Sequence, residues 1–144
     1  MSQRLGRWGA LLAGALALAA GGCGAFGAGS PAADPARDCA RSNGATTQEA
    51  SRLLLEGARV FDERCSPCHG DTGHGDGLLA ELLPIRPRNY HADSFQWGTG
   101  WGEIAETVRG GRSGVMPPFA GALSEPQIRS VSFLVACWVE QRER

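Results

Sequence analysis

Three stretches of this chain repeat apolar residues at helical spacing, and glycine- and proline-rich segments separate them. In the first, Leu53, Gly57, Val60 and Phe61 stand at i, i+4, i+7 and i+8, which places them on one helical face. Thr46 and Glu49 have capping-box spacing just upstream, with the threonine side chain taking the N3 amide and the glutamate reaching back. This helix is expected to run into Arg64. The stretch from Trp101 to Arg109 is a second helix with Ile104 and Val108 on one face, stopped by Gly110 and Gly111. The third begins at Ser124, where Gln127 completes another capping box and Pro126 sits in the first turn. Ile128, Val131, Leu134, Val135 and Trp138 form its buried face. Between the first two, Gly70 to Gly77 (GDTGHGDG) carries too many glycines for a helix and reads as a loop. Leu78 to Leu83 is a short helix ended by Pro84 and Pro87. No segment alternates convincingly enough to be a strand, so the class is all-α.

The N-terminal pattern is of another kind. Arg4 and Arg7 precede an unbroken apolar run of eleven residues, Ala10 to Ala20. A spanning helix needs about 17–25 residues, so the run reads as the core of an export signal covering residues 1–22. Ala20-Gly21-Gly22-Cys23 resembles the bacterial lipobox, apart from Ala20 where leucine is usual. The resemblance implies lipidation of Cys23 and retention on a membrane, with cleavage nearby and release as a soluble periplasmic protein as the alternative. Residues 23–45 are rich in Gly, Ala, Pro and Ser and are expected to be a flexible tether. The folded body is then 46–144.

Composition narrows the partners. All 14 basic residues are arginine, so a lysine ring for docking acidic partners is excluded. Removal of residues 1–22 takes away Arg4 and Arg7 and no acid, leaving 12 − 15 = −3. No basic stripe points to nucleic acid.

The chemistry lies in Cys65-Ser66-Pro67-Cys68-His69, the haem-attachment pattern C-x-x-C-H. Two thiols three residues apart reach the two vinyl groups of one haem, and the adjacent histidine becomes a ligand of its iron. A zinc site needs a second ligand pair, and the other cysteines, at 23, 39 and 137, form none. A thioredoxin-like motif needs a βαβ context, which this chain lacks. The motif occurs once, so one covalent haem c is expected. Met116 follows His69 by 47 residues, in Gly114-Val115-Met116-Pro117-Pro118-Phe119. A packing methionine belongs on a helix face; this one stands in a Gly/Pro-rich loop and is the candidate second axial ligand. His91 is a competitor, whereas His74 lies too close to His69 in sequence to reach the other side of the ring.

With Gly57 and Phe61 eight and four residues before Cys65, residues 46–144 resemble the class I c-type cytochromes. The run CHGDTGHGDG, Pro87-Arg88-Asn89-Tyr90, GVMPPF and LSEPQI is similar to the branch related to cbb3-type oxidase haem subunits, with Leu78 departing from the proline often found there. The resemblance implies three to five helices around one haem, with Gly57 meeting Phe133 or Leu134 where the first helix crosses the last. It implies that a proline carbonyl, that of Pro84 with Pro87 behind it, orients His69. It also offers Arg88, Tyr90, Trp97 and Trp101 as partners for the haem carboxylates, core packing being the other reading of both tryptophans.

Because the family packs the first helix on the last, Cys39 and Cys137 are candidates for a disulfide outside the cytoplasm; Cys137 buried as a small apolar residue is the alternative. The expected function is one-electron transfer between a redox-protein donor and acceptor at the periplasmic side of a bacterial membrane, without a small-molecule substrate. Arg109 and Arg112 flank the Met116 loop and could meet an acidic partner. A fixed haem subunit of an oxidase or dehydrogenase complex, and a haem peroxidase or gas sensor, are the alternatives.

Overall fold

The computed structural model describes residues 35–142. The expected signal (1–22), the lipidation candidate Cys23 and most of the expected tether lie outside the described residues. Those described fold as helices α1 (Pro35–Ser42), α2 (Thr47–Arg64), α3 (Ser66–His69), α4 (Trp101–Gly110) and α5 (Glu125–Gln141), with a single 3-10 turn at Ala80–Leu82. No β-strand forms among them; one isolated backbone bridge joins Arg112 to Met116. No helix among them is long and apolar enough to cross a membrane.

α2 begins as its pattern requires. Thr46 is extended and its Oγ1 accepts from the Glu49 amide at 3.2 Å. The return half of the box differs, because the Glu49 carboxylate is drawn across to Arg129 of α5 at 2.6 Å. At α5, Gln127 Oε1 accepts from both the Ser124 amide and its hydroxyl, each at 3.0 Å. α4 stops at Gly111, whose φ of 67° takes the chain out of the helix while its amide donates to Thr107 O at 2.9 Å. The short helix expected at 78–83 tightens to the 3-10 turn, with Pro84 close behind it.

The core forms where α2, α4 and α5 meet. Phe61, Val60, Ile128 and Val131 are among its most completely buried side chains, each contributing about 1.5–3 kcal/mol by leaving water. α2 and α5 approach most closely at Gly57. A Cβ there would lie 2.9 Å from the carbonyl carbon of Ser130, closer still to its oxygen, and 3.1 Å from the Leu134 Cβ. Of the two residues expected at this contact Leu134 makes it, together with the Ser130 backbone.

Phe133 faces the other way. It belongs to a second cluster with Cys39, Ala40, Ala50 and Cys137, built by α1. Residues 35–42 are therefore a helix of the folded body and not tether, which moves the start of the body upstream of Thr46. Cys39 and Cys137 are disulfide-bonded with their Cα atoms 5.4 Å apart, and Ser42 hydrogen-bonds Glu140 beside them. α5 is thus covered on two sides, which is why Ser130 and Ser132 are buried along with its apolar residues.

Gly57→Ala should cost about 1–3 kcal/mol through overpacking against backbone, more than the roughly 1 kcal/mol alanine gains in helix propensity; denaturant unfolding followed by far-UV circular dichroism measures the difference. Replacing Cys39 with Ala should remove about 2–4 kcal/mol, and dithiothreitol should bring the native protein to the same midpoint while leaving the variant unchanged.

Candidate functional site

The C-x-x-C-H run continues directly from α2 as the four-residue helix α3, with Cys65 as its N-cap and Pro67 in its first turn. Four residues cannot stabilise a helix alone, since its carbonyls lack intrahelical partners. The glycine loop supplies them. Gly70 donates to Ser66 O (2.8 Å), Leu79 to Pro67 O (2.8 Å), Gly77 to Cys68 O (3.2 Å) and Gly75 to His69 O (2.8 Å). Gly70 and Gly75 do this at φ of 75° and 72°, where a side chain is strained. Gly77 is excluded from bearing one by space, since a Cβ would stand 2.5 Å from both Ser66 O and Pro67 O.

α3 faces a cavity of about 560 Å³, within the range of about 300–1,000 Å³ typical of cofactor sites. Cys65, Cys68 and His69 line it from one element, and Met116 lines it from the loop after α4. Much of the remaining wall comes from residues between Leu83 and Gly98, Pro84 and His91 not among them, from Ile104, Thr107 and Val108 of α4, and from Val131 and Val135 of α5. The Met116 loop is held firmly. Arg112 and Met116 exchange both backbone hydrogen bonds, at 2.8 and 3.0 Å, and the Phe119 amide returns to Val108 O at 3.1 Å. Gly111 leaves no room for a Cβ, which would sit 2.6 Å from Met116 O.

Neither Cys65 nor Cys68 is in a disulfide, and burial disfavours a thiolate at Cys65. Burial also lowers the His69 pKa, partly offset by the Arg88 backbone. The neutral imidazole is thereby favoured, which is the form that can ligate a metal. His69 Nδ1 is buried and makes no full hydrogen bond; the Arg88 backbone is the polar group beside it.

That last point corrects the expectation for Pro84, which does not line the cavity; Pro87 and Arg88 do. Arg88 and Trp97 line the wall. The Arg88 guanidinium donates to Ser94 O and lies 5.1 Å from the Phe95 ring centre, and Trp97 lies under Arg112 at 4.3 Å. Tyr90 also lines the cavity but is mostly a core residue, stacked on His69 with ring centres 5.0 Å apart and 15° between planes. Trp101 is away from the cavity, packed beneath Arg129 at 5.4 Å. His91 is away too, stacked on His74 at 4.6 Å with its Nε2 donating to Thr72 O at 2.7 Å. Arg109 is engaged by Glu106 and Glu125, both at 2.6 Å, so it is not free for docking. Leu83, Thr107, Val131 and Val135 were missed in the sequence, where nothing distinguishes a helix residue that faces a cavity from one that faces core.

The donor set fits a covalently held haem. Two thiols stand at attachment spacing, a neutral buried imidazole and a thioether share the same wall, and that wall is largely apolar. Four arginines, at 64, 86, 88 and 112, line it against the single acid Asp93, a balance suited to a ligand bearing carboxylates.

A family model described as cytochrome c oxidase, cbb3-type, subunit III matches residues 52–132. The chain is 33% identical over 82 residues to the cbb3-type cytochrome c oxidase subunit CcoP of Azospirillum sp. (strain B510), covering 57% of this chain and 27% of that protein. It is 34% identical over 83 residues to CcoP of Cereibacter sphaeroides, covering 58% and 27%, and 30% identical over 79 residues to the subunit FixP of Bradyrhizobium sp. (strain ORS 278), covering 55% and 25%. The match thus spans about a quarter of these relatives' length. Among solved structures, a chain of the Kuenenia stuttgartiensis reducing HAO-like protein complex is similar at a TM-score of 0.55 and 31% identity, covering 61% of this chain and 43% of that one.

Gly77→Ala should displace α3 and lower the haem incorporated per polypeptide several-fold, read by pyridine haemochrome against protein concentration. Gly121→Ala, at a position with open space around it, should leave that ratio unchanged.

Proposed function

Since the chain belongs to the family of cbb3-type cytochrome c oxidase subunit III, with an all-α class I cytochrome c fold, we propose that it carries one electron at a time on a single haem c. In this reading Cys65 and Cys68 hold the haem through thioethers, and His69 and Met116 are the axial ligands of its iron. One observation carries it: these four side chains, from two separate elements, line one largely apolar cavity. Family membership brings haem-based electron transfer with it, and the finer assignments rest on that convergence.

The bound haem supplies the redox chemistry, and a Met/His ligand pair raises its potential relative to more strongly donating sets. The chain's own task is to hold and shield. Capping of the α3 carbonyls by the 70–79 loop fixes where the thiols and His69 stand. Closure of the Arg112–Met116 turn fixes the thioether, so neither ligand has to reorganise when the charge on the site changes. Ile104, Val108, Val131 and Val135 exclude water from the wall. In the same reading Arg88, Trp97 and Arg112, which line the cavity, take the haem carboxylates. Were His69 and Met116 both to hold the iron, no small-molecule substrate would be expected there. Export, lipidation at Cys23 and residence at the periplasmic side of a membrane complete the proposal.

Met116→Ala should abolish the sulfur-to-iron absorption band of the oxidised protein, lower the midpoint potential and admit carbon monoxide to the reduced protein at neutral pH. An unchanged spectrum would overturn the ligand assignment. Intact mass of protein purified from its native membrane should show one haem and an acylated Cys23.

A second reading, of a haem subunit fixed within a larger complex, is favoured by a specific surface. Leu78, Leu79, Leu82, Ile85 and Trp97 are exposed beside the site, with Leu78 93% accessible, and clustered exposed apolar side chains mark interaction surfaces. Leu78→Asp with Leu82→Asp should leave the spectrum and potential unaltered, and should reduce both co-purification with partner proteins and electron exchange with native membranes.

A further inference from the structure

Hydrogen bonding is only part of what orients the His69 ring. A ligand histidine is usually held by a hydrogen bond from its second nitrogen; here the Arg88 backbone is the polar group on offer, and the buried Nδ1 makes no full hydrogen bond to it. What lies flat against the ring is Tyr90, 5.0 Å between centres and 15° from parallel. Tyr90 is itself held. Trp138 stacks on it at 6.2 Å and 25°, and Phe61 meets it edge-on at 6.3 Å and 69°. Phe61 and Trp138 are in turn locked edge-to-face at 4.8 Å and 86°. The Tyr90 amide donates to Gly73 O at 2.9 Å. Gly73, at φ 79°, makes room for the stack, because a Cβ there would stand 2.7 Å from Tyr90 Cδ2 and 2.9 Å from Trp138 Cζ3.

We propose that Tyr90 is a positioning residue, whose ring face sets the plane of the His69 imidazole and through it the orientation of an axial ligand on the iron. This rests on the reading of His69 as a haem ligand. Three elements contribute to the arrangement: α3 brings His69, the segment after Pro87 brings Tyr90, and α5 brings Trp138. The device is an aromatic wall with defined planes, and a branched aliphatic side chain of similar bulk cannot reproduce it.

The experiment compares holoprotein carrying Tyr90→Phe, Tyr90→Leu and Trp138→Leu by low-temperature electron paramagnetic resonance of the oxidised state. The g anisotropy of low-spin ferric haem depends on the ligand plane, and a residue that merely fills the core does not move it. Tyr90→Phe keeps the ring and should superimpose on the native signal. Tyr90→Leu should shift the largest g value and split the single low-spin species into more than one. Trp138→Leu, which leaves Tyr90 in place but removes the ring that backs it and Phe61, should broaden the native signal, and it carries the test if Tyr90→Leu fails to accumulate. A native signal in both leucine variants would overturn the proposal while leaving haem ligation by His69 intact. Native protein without haem by pyridine haemochrome would overturn the underlying reading as well.

Discussion

Backbone touches backbone where α2 crosses α5, and the rest of the structure follows from that contact. Gly57 brings α2 against the Ser130 carbonyl and the Leu134 side chain, at a separation no side chain would permit. The crossing sets the direction in which α2 ends, and only Cys65 lies between α2 and α3. Cys65, Cys68 and His69 are therefore aimed by a contact more than two helical turns upstream. α5, pinned at the same point, supplies Val131 and Val135 to the far wall. The site is a product of helix packing before it is a product of the motif.

Charge is arranged with the same economy. The described arginines away from the cavity include several engaged by acids on their own or a neighbouring helix: Arg59 with Glu56 and Glu63, Arg109 with Glu106 and Glu125, Arg129 with Glu49. These pairs are surface-exposed and contribute little stability. Their effect is local neutrality. The four arginines on the cavity wall face one acid, so a positive environment persists there in a chain whose overall balance is slightly acidic.

Much of this was legible in the sequence. The spacing of Leu53, Gly57, Val60 and Phe61, the Ser124–Gln127 cap and the Gly110-Gly111 stop report on helices that carry their own signals, and those helices are present. α1 was not legible. PARDCARS sits inside a Gly/Ala/Pro-rich stretch, and what makes it helical is tertiary: its apolar face packs on Ala50 and Phe133, and Cys39 is bonded to Cys137. Pro84 was chosen as the group that orients His69 because a proline is visible in a sequence. The group found beside Nδ1 is the backbone of Arg88, which any residue type could have provided. Trp97 and Trp101 differ by four positions and look alike in one dimension. Only the path of the chain sends one to the cavity and the other beneath Arg129.

The Cys39–Cys137 bond joins residues 98 apart in sequence, near the two ends of the described body. Mechanically, this makes the ends a single point. A pull arriving from the N-terminal side enters at α1, crosses the sulfur bridge and loads α5, the helix already clamped between α1, α2 and α4. The Cys65–His69 segment lies inside the loop so closed, off the direct route from α1 to α5. Tension entering at α1 thus has a covalent route to α5 that bypasses the cavity wall.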